Sequence, residues 1–115
     1  MEITRIDTSA RMSQAVVHNG VIRLAGQVGD GVTVAEQTTN ALAAVDDLLA
    51  RCGSDRSRLL SATIWLTDLA GFDEMNGVWE AWLLPGSAPT RATAQVRLTS
   101  PAYLVEVMIT AAVAP

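Results

Sequence analysis

Two charged residues within otherwise apolar or alternating segments are the best candidates for chemistry. Glu106 is the only charged residue in the run from Tyr103 to Ile109, and Arg91 begins a segment in which polar residues recur at every second position. A carboxylate in such a run lies at a sheet edge, pairs with a cation, or sits in a site that shifts its pKa. A guanidinium binds carboxylates through two parallel hydrogen bonds. The pair therefore indicates either a site for a small carboxylate or a structural or intersubunit salt bridge.

The spacing of these two residues allows a geometric test. If the last two strands form an antiparallel pair, the numbers of facing residues have a constant sum, and facing residues share one side of the sheet. Arg91 and Glu106 then share a side only if that sum is odd, and an even sum separates them across the sheet.

The residue types that are missing exclude several kinds of catalysis. All eight basic residues are arginine, so there is no lysine for a Schiff base, for covalent pyridoxal phosphate or for a phosphate-binding loop. His18 is the only histidine, which rules out a multi-histidine metal site. We therefore expect no cofactor and no metal. Chemistry must depend on arginine, carboxylates, hydroxyls, backbone groups and water.

Composition predicts a soluble, cytoplasmic protein. The net charge of -4 argues against nucleic acid as a partner. No segment approaches the roughly 18 apolar residues of a membrane span, and the first residues lack the apolar core of a signal peptide. The single Cys52 excludes an intrachain disulfide.

The periodicity of apolar residues predicts the element order β-β-β-α-β-α-β-β. Asn19-Gly20 between two β-branched runs indicates a hairpin. Thr33 and Glu36 open a helix that ends at Gly53. The remaining predictions are a strand over Leu59–Thr67, with Leu60, Ala62, Ile64 and Leu66 on one face, a helix over Gly71–Leu84, and strands over Arg91–Leu98 and Tyr103–Ala112.

This order predicts a single α+β domain over residues 1–115, with two helices on one face of a roughly six-stranded mixed sheet. Several strands, the last above all, carry apolar residues on both faces. Two helices cannot cover both sides of such a sheet. We therefore expect the other face to be buried against another subunit.

Six short segments, in order, carry a resemblance to a known family. They are Ser13-Gln14-Ala15-Val16, Ala25-Gly26-Gln27, Glu36-Gln37-Thr38, Met75-Asn76-Gly77-Val78-Trp79, Ala88-Pro89-Thr90-Arg91-Ala92-Thr93 and Val105-Glu106-Val107. Each segment is weak by itself, but together they span the chain. The sequence resembles the RidA (YjgF/YER057c/UK114) family, and its short loop at Gly29-Asp30-Gly31 looks like the short YoaB-like branch.

The resemblance implies a chorismate-mutase-like fold, a homotrimer with ligand sites between subunits, and hydrolysis of 2-imino acids to 2-keto acids and ammonia. By the same resemblance, Arg91 would bind the substrate carboxylate and Glu106 would position or activate water. Thr93 occupies a position that is often cysteine, whose backbone helps to hold the ligand. Asn76, in the segment around Trp79, is a further candidate for substrate binding, either exposed or hydrogen-bonded at an interface.

Two departures from the family pattern affect the expected activity. Met12 stands near the site where deaminase members often carry an aromatic residue, and Ala25 replaces a common serine. Both would line the substrate site and make that wall more apolar. A non-catalytic trimer that binds a small carboxylate or regulates a partner therefore stands as an alternative to the deaminase. A ribonuclease, as some relatives have been called, fits poorly with the acidic, lysine-free composition.

Overall fold

A computed structural model describes residues 2–115, and the predicted fold class is confirmed. The strands are β1 (Thr4–Ile6), β2 (Ala15–His18), β3 (Val21–Leu24), β4 (Leu59–Leu66), β5 (Thr90–Gln95) and β6 (Val105–Ala112). The helices are α1 (Val34–Arg51) and α2 (Phe72–Trp82). The strands form one mixed sheet in the order β1-β2-β3-β6-β4-β5, in which only the β4–β5 pair is parallel.

Local sequence signals fix the predicted turn and helix start. Asn19 and Gly20 connect β2 to β3 with φ values of 55° and 76°, the left-handed region that Asn and Gly tolerate. Thr33 caps α1, because its side chain accepts a hydrogen bond from the Glu36 backbone N–H at 3.1 Å. These two signals act over a few residues, which is why the sequence predicts them well.

The last two strands do not pair with each other, so the premise of the geometric test was wrong. β4 lies between them, antiparallel to β6 and parallel to β5. The reason is the helix α2, which carries the chain from the end of β4 back to its start, so that β5 runs alongside β4 in the same direction. Both final strands are also shorter than predicted, since β5 ends at Gln95 and β6 begins at Val105.

The start of β4 departs from strict alternation. Leu59 pairs with Ala111 and Ser61 with Thr110, so Leu60 is an extra residue in a β-bulge. Leu59 is consequently buried and Leu60 is 46% exposed. The prediction that Leu60 shares one face with Ala62 was wrong. A residue inserted into a strand moves the side chains that precede the bulge to the other face of the sheet.

The core lies between the helices and one face of the sheet. Alternate residues of β6 are buried there together with the apolar side of α1 and with Met75, Trp79 and Trp82 of α2. The opposite face, called here the helix-free face, carries half-buried side chains that include Val16, Trp65 and Met108. Within residues 2–115, no helix is both long and apolar enough to cross a membrane.

Candidate functional site

Arg91 lies on the helix-covered face of the sheet. It stands next to Ala62 in the parallel β4–β5 register, and neighbours in register share a face. Ala62 is buried in the core, so the Arg91 side chain projects toward α2. Because β5 is an edge strand, this side chain is only half-buried.

The guanidinium of Arg91 is held by α2. Its Nη1 donates a hydrogen bond of 2.7 Å to Oδ1 of Asn76. The guanidinium carbon lies 5.7 Å from the ring centre of Phe72 and 5.9 Å from that of Trp79, within the range of cation–π attraction. Across residues 2–115, no carboxylate lies within 4.0 Å of this guanidinium. The cation is therefore oriented but carries no counter-ion.

Glu106 lies on the helix-free face. It faces Trp65 across the β4–β6 pair, and its neighbours Val105 and Val107 point into the core. The carboxylate rests against Gly26, where a Cβ atom would come within 2.7 Å of the Glu106 Cδ. Partial burial raises the pKa of Glu106 above the ordinary glutamate value, because burial disfavours the charged form. In the part of the chain that the structure describes, this carboxylate has no hydrogen-bond or ion-pair partner.

One chain does not bring Arg91 and Glu106 together. The two side chains project from opposite faces of the sheet. Arg91 shares the core-facing side with its register neighbour Ala62, and Glu106 shares the helix-free face with its register neighbour Trp65. The salt-bridge interpretation is therefore wrong for a bridge inside one chain, and its intersubunit form is untested. A contact between Arg91 of one subunit and Glu106 of another stays a prediction.

Of the other predicted site residues, two lie beside Arg91, one lies beside Glu106, and Met12 contacts neither. Asn76 and Thr93 accompany Arg91, and the buried hydroxyl of Thr93 finds no hydrogen-bond partner in residues 2–115. Ala25 adjoins Gly26 beside Glu106, and its carbonyl accepts a hydrogen bond from Gln27. Met12 is 45% exposed in the β1–β2 loop, two residues before Gln14, whose carbonyl accepts from the Ala25 N–H.

Sequence reasoning missed three residues that shape these places. Phe72 and Trp79 flank Arg91, and neither was singled out as a candidate site residue from the sequence. Their spacing with Asn76, at i, i+4 and i+7 on one helix, was the signal that could have revealed them. Gly26 provides the seat for Glu106, and its lack of a side chain within a quoted family segment was the available clue.

Two clefts in the described residues lie elsewhere. One of about 450 Å³ is lined by Thr67, Arg97, Ser100, Tyr103 and neighbouring residues, and one of about 330 Å³ lies beside Asp7 and Arg51. Neither contains Arg91 or Glu106. Among residues 2–115, no group of three or more His, Cys, Asp or Glu could hold a metal ion.

Comparison with known proteins identifies the family. The model of the family described as Endoribonuclease L-PSP matches residues 2–113. The chain is also 44% identical over 114 residues to the RutC family protein YoaB of Escherichia coli, covering 98% of this chain and 100% of YoaB. The chain belongs to the RidA/YjgF family.

Solved structures and more distant relatives of this RidA-family protein agree with that assignment. A YjgF-family protein from Neisseria meningitidis is 46% identical, with a TM-score of 0.98 over 100% of this chain and 98% of its own. The Reactive Intermediate Deaminase A of Arabidopsis thaliana chloroplasts is 32% identical over 92 residues, which covers 73% of this chain and 49% of that protein.

Proposed function

We propose that this RidA-family protein hydrolyses 2-imino acids and their enamine tautomers, such as 2-iminopropanoate and 2-iminobutanoate, to 2-keto acids and ammonia. The observation that carries the proposal is the pair of uncompensated charges, an oriented Arg91 and a half-buried Glu106, in a chain without lysine. The name of the Arabidopsis relative, a reactive intermediate deaminase, supports the same reaction class.

The active site is formed between subunits of a homotrimer in this proposal. Arg91 and Glu106 project from opposite faces, so only Glu106 of one subunit can approach Arg91 of another. The helix-free face supports such an assembly, because it leaves Trp65 and Met108 only half-buried in one chain. Ala92 and Ala94, which share that face on the edge strand β5, are small and exposed and would permit close approach of a neighbouring subunit.

The chemistry needs only orientation and one water molecule. Arg91 would fix the substrate carboxylate, which brings the imine carbon to a defined position. Glu106 would accept a proton from water as the oxygen attacks the carbon of the protonated imine, giving a neutral tetrahedral carbinolamine. Return of that proton to nitrogen would make ammonia the leaving group, and transfer of the hydroxyl proton to Glu106 as the C–N bond breaks would form the carbonyl of the keto acid. A raised pKa suits Glu106 to this role, since its carboxylate is then a stronger base.

Met12 and Ala25 favour a second candidate, a trimer that binds a small carboxylate without turning it over. Neither side chain can donate a hydrogen bond, whereas the tyrosine and serine common in deaminase members can. If these two positions line the site as the resemblance implies, it offers fewer groups to orient a water molecule or a leaving nitrogen. In that case Arg91 would still bind the carboxylate, but hydrolysis would proceed at the rate of free solution. The two candidates therefore differ in rate and agree in affinity.

The test generates 2-iminobutanoate in place with a pyridoxal-phosphate dehydratase and follows keto-acid formation with and without the protein. The dehydratase must be in excess so that imine hydrolysis limits the rate. Acceleration in proportion to protein concentration supports the deaminase. An unchanged rate together with measurable binding of 2-oxobutanoate supports the binding trimer. Incubation with single-stranded RNA tests whether the protein has the endoribonuclease activity for which the family model is named.

A further inference from the structure

Three side chains on one face of α2 surround the same guanidinium. Phe72, Asn76 and Trp79 follow one another at helical spacing, and all three contact Arg91. The rings supply cation–π attraction, which aligns the cation without removing its charge. The amide supplies one hydrogen bond of 2.7 Å to Nη1.

A second arginine of the same chain provides an internal comparison. Arg56 also lies over an indole ring, 5.0 Å from the centre of Trp82, and also donates to a side-chain oxygen. That oxygen belongs to Asp46, at 2.6 Å, and the Trp82 Nε1–H donates to the same carboxylate oxygen. Arg56 is thus neutralised inside the fold, whereas Arg91 has an amide in the place of the acid.

This difference determines what each arginine can bind. A carboxylate partner satisfies both the hydrogen bonds and the charge of a guanidinium, so an external anion gains little from approaching it. An amide oxygen satisfies one of the five N–H donors and leaves the full positive charge. The remaining donors of Arg91 stay available for a bidentate contact with a ligand carboxylate.

We infer that Asn76 is a positioning residue, which orients the Arg91 guanidinium by a neutral hydrogen bond and so reserves its charge for the carboxylate of a ligand. The inference deepens the proposed function, on which it rests for the identity of the ligand. It assigns Asn76 a contact with Arg91 in place of the direct substrate contact expected from the sequence.

Replacing Asn76 with Asp tests the inference because the side chain keeps its shape and gains a charge. The new carboxylate would neutralise Arg91 as Asp46 neutralises Arg56. We expect the affinity for 2-oxobutanoate, measured by titration calorimetry, to fall by about 30-fold or more. The melting temperature should stay the same or rise. Asn76→Ala, which removes one neutral hydrogen bond, should lower the affinity by about 3- to 10-fold.

Asp46→Asn is the matched control. This change gives Arg56 an amide partner in place of its carboxylate, as Arg91 has. It should lower the melting temperature and leave the affinity for 2-oxobutanoate unchanged. The inference is overturned if Asn76→Asp binds 2-oxobutanoate as the wild type does, or if its affinity and melting temperature fall together. It is also overturned if the wild type does not bind 2-oxobutanoate at millimolar concentration.

Binding is the readout, so the outcome is separable from that of the proposed function. A wild-type protein that binds 2-oxobutanoate but does not accelerate imine hydrolysis would exclude the deaminase. The selective loss of affinity in Asn76→Asp would then still establish the positioning role.

Discussion

Arg91 and Glu106 lie on opposite faces of one sheet. Arg91 lies beside Ala62 on the face that packs against the helices, and Glu106 lies opposite Trp65 on the helix-free face. A strand side chain cannot change faces without a shift of register, and over residues 61–66 β4 pairs without interruption with both β5 and β6. A ligand that contacts both residues must therefore touch two chains. This relationship makes assembly a requirement for the proposed activity.

The first prediction concerns mixed trimers. The wild type should have a mass near three times 12.2 kDa by light scattering. Arg91→Ala and Glu106→Gln homotrimers should each be inactive. Co-expression of the two variants should restore about a quarter of wild-type imine hydrolysis, because random mixing leaves that fraction of sites with both residues intact.

The control is a mixture of the two variants, expressed separately and combined under conditions that prevent subunit exchange. This mixture should show no recovery of imine hydrolysis. A wild-type monomer that hydrolyses imines at micromolar concentration would contradict the intersubunit site. Co-expressed variants that stay inactive despite forming mixed trimers would contradict it as well.

The second prediction concerns the carboxylate contact of Arg91. Arg91→Ala should lose about 2–5 kcal/mol of binding free energy for 2-oxobutanoate, since the ligand carboxylate would lack its only cation. Arg91→Lys should recover little of this, because an ammonium cannot form the bidentate contact. Arg97→Ala is the matched control, as Arg97 is exposed and lines a different cleft. If the Arg91 and Arg97 variants lost equal affinity for 2-oxobutanoate, the loss would reflect the change in net charge and not a direct contact.

The third prediction separates a catalytic Glu106 from a structural one. Glu106→Gln keeps the shape but removes the basic oxygen, so imine hydrolysis should fall by about 10²- to 10⁴-fold. Affinity for 2-oxobutanoate should change little, since Arg91 supplies the charge contact. A variant with normal turnover and a lower melting temperature would make Glu106 a structural residue.

The acid side of the pH–rate profile gives an independent measurement of the same group. The base must be ionised, and burial raises the pKa of Glu106. As pH falls, wild-type kcat/KM should therefore decrease at a higher pH than an ordinary glutamate would give, and the decrease should be absent in Glu106→Gln. A profile that is identical in both proteins would assign the titration to another group.

The fourth prediction concerns the seat of the Glu106 carboxylate. Gly26→Ala places a methyl group where the carboxylate now lies, so the glutamate side chain must move. A displacement of about 1 Å at a reacting group costs up to about 10²-fold in rate, and we expect imine hydrolysis to fall to that extent. Gly77→Ala, on an open part of α2, is the control and should raise stability by up to about 1 kcal/mol without changing the rate. Unchanged hydrolysis in Gly26→Ala would separate the carboxylate from the chemistry.

Short-range signals account for the parts of the fold that the sequence predicted well. The Asn19-Gly20 turn and the Thr33 cap involve contacts within three or four residues, and the hydrophobic period gave the order of all eight helices and strands. The bulge at Leu60 was not predictable from alternation, since an extra residue is recognisable only against the strand that pairs with it.

The sequence by itself determined which groups are available: arginine as the only basic side chain besides one histidine, one charged residue in the last strand, and Asn76, Arg91 and Glu106 in segments typical of the family. Only the tertiary structure decided how these groups are distributed. It inserted β4 between the final strands, turned Arg91 toward α2 and Glu106 away from it, and gave Arg91 an amide partner in place of an acid. The physical reason is that strand order and facing depend on pairing between distant segments, whereas residue type and periodicity are local properties of the chain.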